Sequence, residues 1–130
     1  MTELSDGVRR LLDGPNTAHL ATILPDGSPH SVPVWIGVEG DRLAFLTAPG
    51  SRKARNVTRD PRVSVSVTDH AQPFTMAHIR GQVTGRVDGA DAWVIIDRIS
   101  AKYTGAPYPQ RTDRMVFLIE PEHVRGTAYG

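Results

Sequence analysis

The chain has 130 residues, of which 39% are apolar and 22% charged, with 15 lysines and arginines against 14 acids for a net charge of +1. That length suits one domain around one core, and so balanced a charge speaks against a nucleic-acid-binding module. There is no cysteine, which excludes disulfides, thiolate metal sites and cysteine nucleophiles. The acidic start from Met1 to Asp6 is unlike a signal peptide, and no run approaches the ~20 apolar residues of a membrane span, so a cytoplasmic protein is expected.

Leu4, Val8, Leu11 and Leu12 recur at helical spacing ahead of Gly14-Pro15, which predicts a short amphipathic helix over 3–13 with Gly14 as its C-terminal cap. Thr17 to Leu24 reads as a strand, Pro25-Asp26-Gly27 as a turn and Pro29 to Val38 as the returning strand. Pro29 and Pro33 cannot donate ladder hydrogen bonds, so that second strand should lie at an edge, be bulged, or turn toward a ligand at Pro33. After a turn at Glu39-Gly40-Asp41, a third strand runs from Arg42 to Thr47. A short helix is expected over Arg52 to Thr58, with Ser51 as N-cap and Asp60-Pro61 ending it. Val63, Val65 and Val67 alternate with Ser64, Ser66 and Thr68 in a fourth strand.

Ile79, Val83 and Val87 should share one face of a fifth strand, with His78, Arg80, Gln82, Thr84 and Arg86 on the other and Gly81 and Gly85 permitting bends. Ala92, Ile96, Ile99 and Tyr103, with Trp93 and Ile95 beside them, form a helical stripe that ends before Gly105-Ala106-Pro107. Arg114 to Glu120 and Glu122 to Thr127 read as two strands divided by Pro121. Six or seven short strands with three helical pieces leave many open edges unless the sheet closes. The fold expected is therefore mainly β with a few helices, closed into a small barrel.

The segment Thr47-Ala-Pro-Gly-Ser-Arg-Lys-Ala-Arg-Asn56 carries what phosphate binding needs. Thr47 and Ser51 supply hydroxyls, Gly50 allows close approach, free N–H groups open the short helix, and Arg52 and Lys53 supply charge. Asn56 lies about one turn after Lys53 and could donate on the same side. The alternative is a basic helix that is simply a solvated face, and composition leaves both open.

Several stretches in order carry a resemblance. They are Ala18-His-Leu-Ala-Thr-Ile-Leu-Pro-Asp-Gly-Ser-Pro-His-Ser-Val-Pro-Val-Trp35, Leu43-Ala-Phe-Leu-Thr47, Ser51-Arg-Lys-Ala-Arg-Asn56 and Asp60-Pro-Arg-Val-Ser64. Together they resemble the split-barrel flavin and deazaflavin oxidoreductases, the pyridoxamine 5'-phosphate oxidase superfamily, and most closely its short branch that uses coenzyme F420. The resemblance implies a dimeric split β-barrel of the FMN-binding-protein type, with cofactor sites at the subunit interface finished by the partner. It implies that Thr47, Ser51, Arg52, Lys53 and Asn56 hold the cofactor phosphate while Pro33, Val34 and Trp35 run along the ring system. Trp35 has the alternative of an ordinary core or dimer contact. The sequence stops soon after Val116 to Gly126 without the basic and aromatic motif with which pyridoxamine phosphate oxidases hold their substrate, a departure that argues against vitamin B6 oxidation.

Tyr103 and Tyr108 resemble the region that borders the substrate pocket in relatives, and either hydroxyl is a candidate proton donor; the alternative is packing at the helix end. Phe74 and Met76 could line the same pocket or be ordinary core residues. The histidines, His19, His30, His70, His78 and His123, have no metal-ligand spacing, and His30 and His78 are weaker candidates for a proton source. Ser5, Ser28 and Ser31 lack nucleophile-elbow glycines. The expected function is F420-dependent hydride transfer to an unsaturated or conjugated small-molecule acceptor. The alternatives are an FMN-dependent oxidoreductase of the same fold and a non-catalytic F420 or flavin carrier.

Overall fold

Ser5 opens the first helix, α1 (Asp6–Asp13), by accepting a hydrogen bond from the Val8 N–H at 3.3 Å, and Leu4, Val8, Leu11 and Leu12 are all buried. The structure, a computed structural model, describes residues 3–128. Gly14 ends the helix by donating its N–H to the Arg10 carbonyl at 3.1 Å, in an extended rather than left-handed conformation.

Seven strands follow, all paired antiparallel: β1 (Ala18–Ile23), β2 (Pro29–Val34), β3 (Gly37–Glu39), β4 (Arg42–Thr47), β5 (Arg62–Thr68), β6 (Thr75–Val87) and β7 (Met115–Ala128). Their order in the sheet is β2-β1-β5-β6-β7-β4-β3. Helices α2 (Arg52–Arg59) and α3 (Gly89–Thr104) complete the elements.

The strand expected from Pro29 to Val38 is two strands. Val34 already pairs with Ala18, the first residue of β1, so nothing remains for residues 35–38 to pair with on that side. The chain crosses instead to β4, which pairs with Gly37 to Glu39. This crossing decides the architecture. Strands β2 and β3 are the two edges of the sheet, yet only Trp35 and Ile36 separate them. In a flat sheet the edges would be roughly 29 Å apart, six spacings of about 4.8 Å, whereas three chain steps reach at most about 11 Å. The sheet must roll until its edges approach, and because they do not pair, the result is a split barrel. Both prolines of the second strand lie on the edge strand β2, where a missing donor costs least.

The two strands expected on either side of Pro121 are one continuous strand, β7. Pro121 falls at a register shift opposite Gly81, so its missing N–H interrupts no regular ladder. Gly81 makes this possible, since a Cβ there would stand 2.2 Å from the Glu120 carbonyl oxygen. A second shift, between Val83 and Gly85, inverts the alternation of β6. Ile79 and Val83 face the barrel interior as expected, but Val87 packs on the outside with α3.

Inside the barrel lie Leu20, Leu43, Phe45, Val65, Ile79, Met115 and Ile119, all fully buried. Outside it, Ala92, Ile95, Ile96 and Ile99 of α3 cover Ala44, Val116 and Leu118. Strand β4 and the first part of β7, residues 115–119, are thus buried on both faces, and α3 stops at Gly105 with φ 77°.

Candidate functional site

Where the edges fail to pair, a cleft of about 460 Å³ opens. It is lined by Thr17 ahead of β1, Pro33 and Val34 at the end of β2, Trp35 in the crossing, Leu46 of β4, Lys53 of α2 and Tyr108 beyond α3. A cleft of that size is in the range of small-molecule and cofactor sites. As an edge strand, β2 also leaves alternate backbone N–H and C=O groups pointing away from β1.

One end of the cleft is cationic. Helix α2 starts at Ser51, whose Oγ accepts from the Ala54 N–H at 3.1 Å and lies 2.7 Å from the Thr47 Oγ1. Two hydroxyls therefore stand together at the helix start, with Ser51 two residues before Lys53. Burial pushes the Lys53 ammonium below its ordinary range, and the nearby Arg114 guanidinium lowers it further. Arg114 donates to the Tyr108 hydroxyl oxygen at 3.3 Å, the Asp113 carbonyl at 2.7 Å and Gln110 Oε1 at 3.0 Å, all neutral acceptors. Among the described residues neither Lys53 nor Arg114 has an acid partner. Two partly buried cations without a counter-charge suit an anion. Arg52 and Arg55 are exposed on the same helix.

Arg114 has no local sequence signal and reads only as the start of a strand. Its place follows from the register, because Thr47 pairs with Met115 and so brings residue 114 beside the start of the 47–56 segment.

Asn56 sits differently from its neighbours. It is 0% exposed and donates from Nδ2 to Thr22 Oγ1 at 2.9 Å, while its Oδ1 has no hydrogen-bond partner among the described residues. The structure turns it inward toward β1, away from the exposed face that Arg52 and Arg55 present.

Beside the cations the cleft is aromatic, and Arg114 reaches Tyr108 directly. The Trp35 ring stacks on Tyr103 at 5.1 Å and 7°, and Tyr108 meets Trp35 edge-on at 6.0 Å and 89°. The two tyrosines differ in placement. Tyr103 lies behind Trp35, donates to the Asn16 carbonyl at 2.7 Å, and has its hydroxyl pushed up by burial. Tyr108 lines the cleft, and because its oxygen accepts from Arg114, its own hydrogen is left to donate. Asp97 fixes the loop that carries Tyr108: it accepts from the Tyr108 N–H at 3.1 Å and from Arg111 Nη1 at 2.6 Å. Arg111 holds the Asp97 carboxyl below the usual carboxylate range.

The remaining candidates lie elsewhere. His30 pairs across the hairpin with Thr22, and its Nδ1 is buried without a partner among the described residues. His78 is on the outer face of β6, 2.9 Å from the Ser64 hydroxyl. Phe74 and Met76 are exposed and do not line the cleft.

The model of the family described as pyridoxamine 5'-phosphate oxidase matches residues 4–128. The chain belongs to the pyridoxamine 5'-phosphate oxidase family. Among solved structures this family member is similar to an F420 reductase, with a TM-score of 0.81 and 28% identity over 94% of this chain and 98% of that one. It is also similar to a conserved hypothetical protein from Mycobacterium tuberculosis, with a TM-score of 0.78 and 25% identity over 97% and 89%. General Stress Protein 26 of Bacillus anthracis, at 16% identity, shares the fold, with a TM-score of 0.73 over 93% and 91%. No curated protein matches in sequence. The pyridoxamine 5'-phosphate oxidase family includes oxidoreductases, and no helix among the described residues is long and apolar enough to cross a membrane.

Proposed function

We propose that the protein is an F420-dependent oxidoreductase that reduces an unsaturated or conjugated small-molecule acceptor, acting in the cytoplasm as a homodimer with a site at each subunit interface. The observation that carries this reading is the cleft at the split, where Lys53, with Arg114 near it and no acid partner for either among the described residues, stands beside an apolar wall of Pro33, Val34, Trp35 and Leu46. Such residues fit a ligand with a phosphate at one end and a flat ring system at the other. The likeness to an F420 reductase over nearly the whole of both chains favours the deazaflavin over FMN.

In this reading Lys53, Arg52, Thr47 and Ser51 hold the phosphate, with Arg114 adding charge. Asn56 serves them by anchoring α2 to Thr22. Pro33, Val34 and Trp35 orient the ring along the open edge of β2, and Trp35, Leu46 and Tyr108 keep water from it. When bound, the reduced deazaflavin supplies a hydride. In this reading the Tyr108 hydroxyl, whose oxygen accepts from Arg114, gives a proton to the acceptor, and no side-chain nucleophile is needed.

The test is oxidation of reduced F420 by purified protein, followed across a panel of quinones, linear tetrapyrroles and unsaturated fatty acids. Turnover with any class supports the reductase. Tight F420 binding without turnover across the panel makes the protein a carrier, and turnover with reduced FMN alone makes it an FMN enzyme.

A further inference from the structure

Ile36 is where the chain passes from one edge of the split barrel to the other, and side chains hold both of its backbone groups. Its N–H donates to the Tyr103 hydroxyl oxygen at 3.2 Å, and its carbonyl accepts from Lys102 Nζ. The same two side chains reach further. Tyr103 donates to the Asn16 carbonyl at 2.7 Å, and Lys102 Nζ donates to the Leu12 carbonyl at 2.7 Å. Asn16 is itself fixed, donating to the Leu11 carbonyl at 2.9 Å and accepting from the His70 N–H at 2.8 Å. Consecutive residues of α3 thus tie the crossing to the end of α1 and to the segment ahead of β1.

A backbone donor and acceptor at a sheet edge would ordinarily take a strand partner or water. Here they take a lysine and a tyrosine whose ring also supports the indole of the preceding residue, Trp35, at 5.1 Å. The fold needs some closure at this point, but it does not need the closure to bear on Trp35, which is a wall of the cleft.

We propose that Lys102 and Tyr103 are positioning residues for the cofactor cleft, holding Ile36 so that the Trp35 ring stands as its wall, an inference that rests on the cofactor reading above. Neither residue lines the cleft, and both act through the crossing.

The arrangement has a pH signature. Burial pushes Lys102 down to about 8, with the Asp13 carboxylate opposing. Glu39 and Arg98, ion-paired to each other, share its pocket, and the Tyr103 ring lies 4.7 Å from Nζ. Above pH 8 the lysine loses a proton, and its grip on the two carbonyls weakens with the loss of charge. Tyr103, pushed up by burial, stays protonated there.

The chain has two tryptophans, so a Trp93→Phe background leaves Trp35 as the sole reporter. In that background, acrylamide quenching of Trp35 is measured from pH 6.5 to 9.5 for the parent, Lys102→Met, Lys102→Arg and Tyr103→Phe. F420 and FMN titrations and thermal unfolding are run alongside. The parent is expected to show a quenching transition near pH 8. Lys102→Met and Tyr103→Phe should be cooperatively folded, more quenchable at pH 7, and about fivefold to tenfold weaker for cofactor. Lys102→Arg should restore quenching and affinity while abolishing the transition. Parent-like quenching in both Lys102→Met and Tyr103→Phe overturns the proposal. If the parent binds neither F420 nor FMN, the cofactor reading fails, and the quenching data alone still decide whether the pair holds Trp35.

Discussion

Asn56 donates to Thr22 Oγ1 at 2.9 Å from a fully buried position, so the helix that carries Lys53 is pinned to the first strand by a buried side-chain pair, with Arg59 donating to the Ile23 carbonyl at the surface. Asn56→Ala leaves Thr22 without this partner and is expected to cost about 1–3 kcal/mol of stability in denaturant unfolding. Thr22→Val should cost a similar amount, and the double variant should cost less than the sum, because both remove one contact. Cofactor affinity should fall in both single variants. Loss of affinity in Asn56→Ala with unchanged stability and an unaffected Thr22→Val would instead mean that Asn56 touches the ligand directly.

Arg114 depresses Lys53, in addition to the larger effect of burial. Lys53 therefore loses its proton at a lower pH than an ordinary lysine, and anion affinity should fall as pH rises through that lowered value. In Arg114→Gln the repulsion is gone, so the fall should move to higher pH while affinity at neutral pH drops with the lost cation. Titration with inorganic pyrophosphate from pH 7 to 10 measures both effects. A fall at unchanged pH in the variant would separate the two residues.

Asp97 anchors the Tyr108 loop through the Tyr108 N–H and Arg111. Its carboxyl is held below the ordinary value, so its contribution is fully present above about pH 4 and is lost as pH falls through the depressed folded value. Asp97→Asn removes that contribution at all pH values. The Tyr108 amide should then exchange hydrogen faster, and KM for the acceptor should rise more than kcat falls. Unchanged exchange would show that the loop is held by other contacts.

Gly81 tests the architecture independently of function. With a Cβ only 2.2 Å from the Glu120 carbonyl oxygen, Gly81→Ala forces the β6 and β7 backbones apart at the bulge. A loss of about 1–3 kcal/mol or more is expected in thermal or denaturant unfolding. A neutral result would mean that the two strands separate freely at Pro121.

Much of this molecule was legible locally. Ser51 as a helix N-cap and the alternation of Val63, Val65 and Val67 follow from short-range rules that the structure obeys, and of the alternatives open for Pro29 and Pro33 it takes the edge strand. The misreadings share one cause, which is that pairing partners lie far away in sequence. Residues 35–38 look like a continuing strand until β1 runs out of partners. Pro121 looks like a break until Gly81 is placed opposite it, and Val87 looks inward until the second register shift is counted. The candidate site divides in the same way. Lys53, Trp35 and Tyr108 could be named from motif and resemblance, whereas Arg114, Asp97, Thr17 and Leu46 reach the cleft or its loop only through the long-range register of the sheet and the return of the chain after α3.

The most direct test of the cleft is fluorescence-detected binding of F420 and FMN, side by side, to cofactor-free protein and to Lys53→Ala. F420 should bind more tightly than FMN. Lys53→Ala should weaken F420 by roughly tenfold to more than a hundredfold, the equivalent of losing a charge-assisted contact of about 1.5–3 kcal/mol, with the fold intact. Equal F420 affinity in the parent and Lys53→Ala, or binding of neither cofactor to the parent, would contradict the assignment and leave the basic helix as a solvated face.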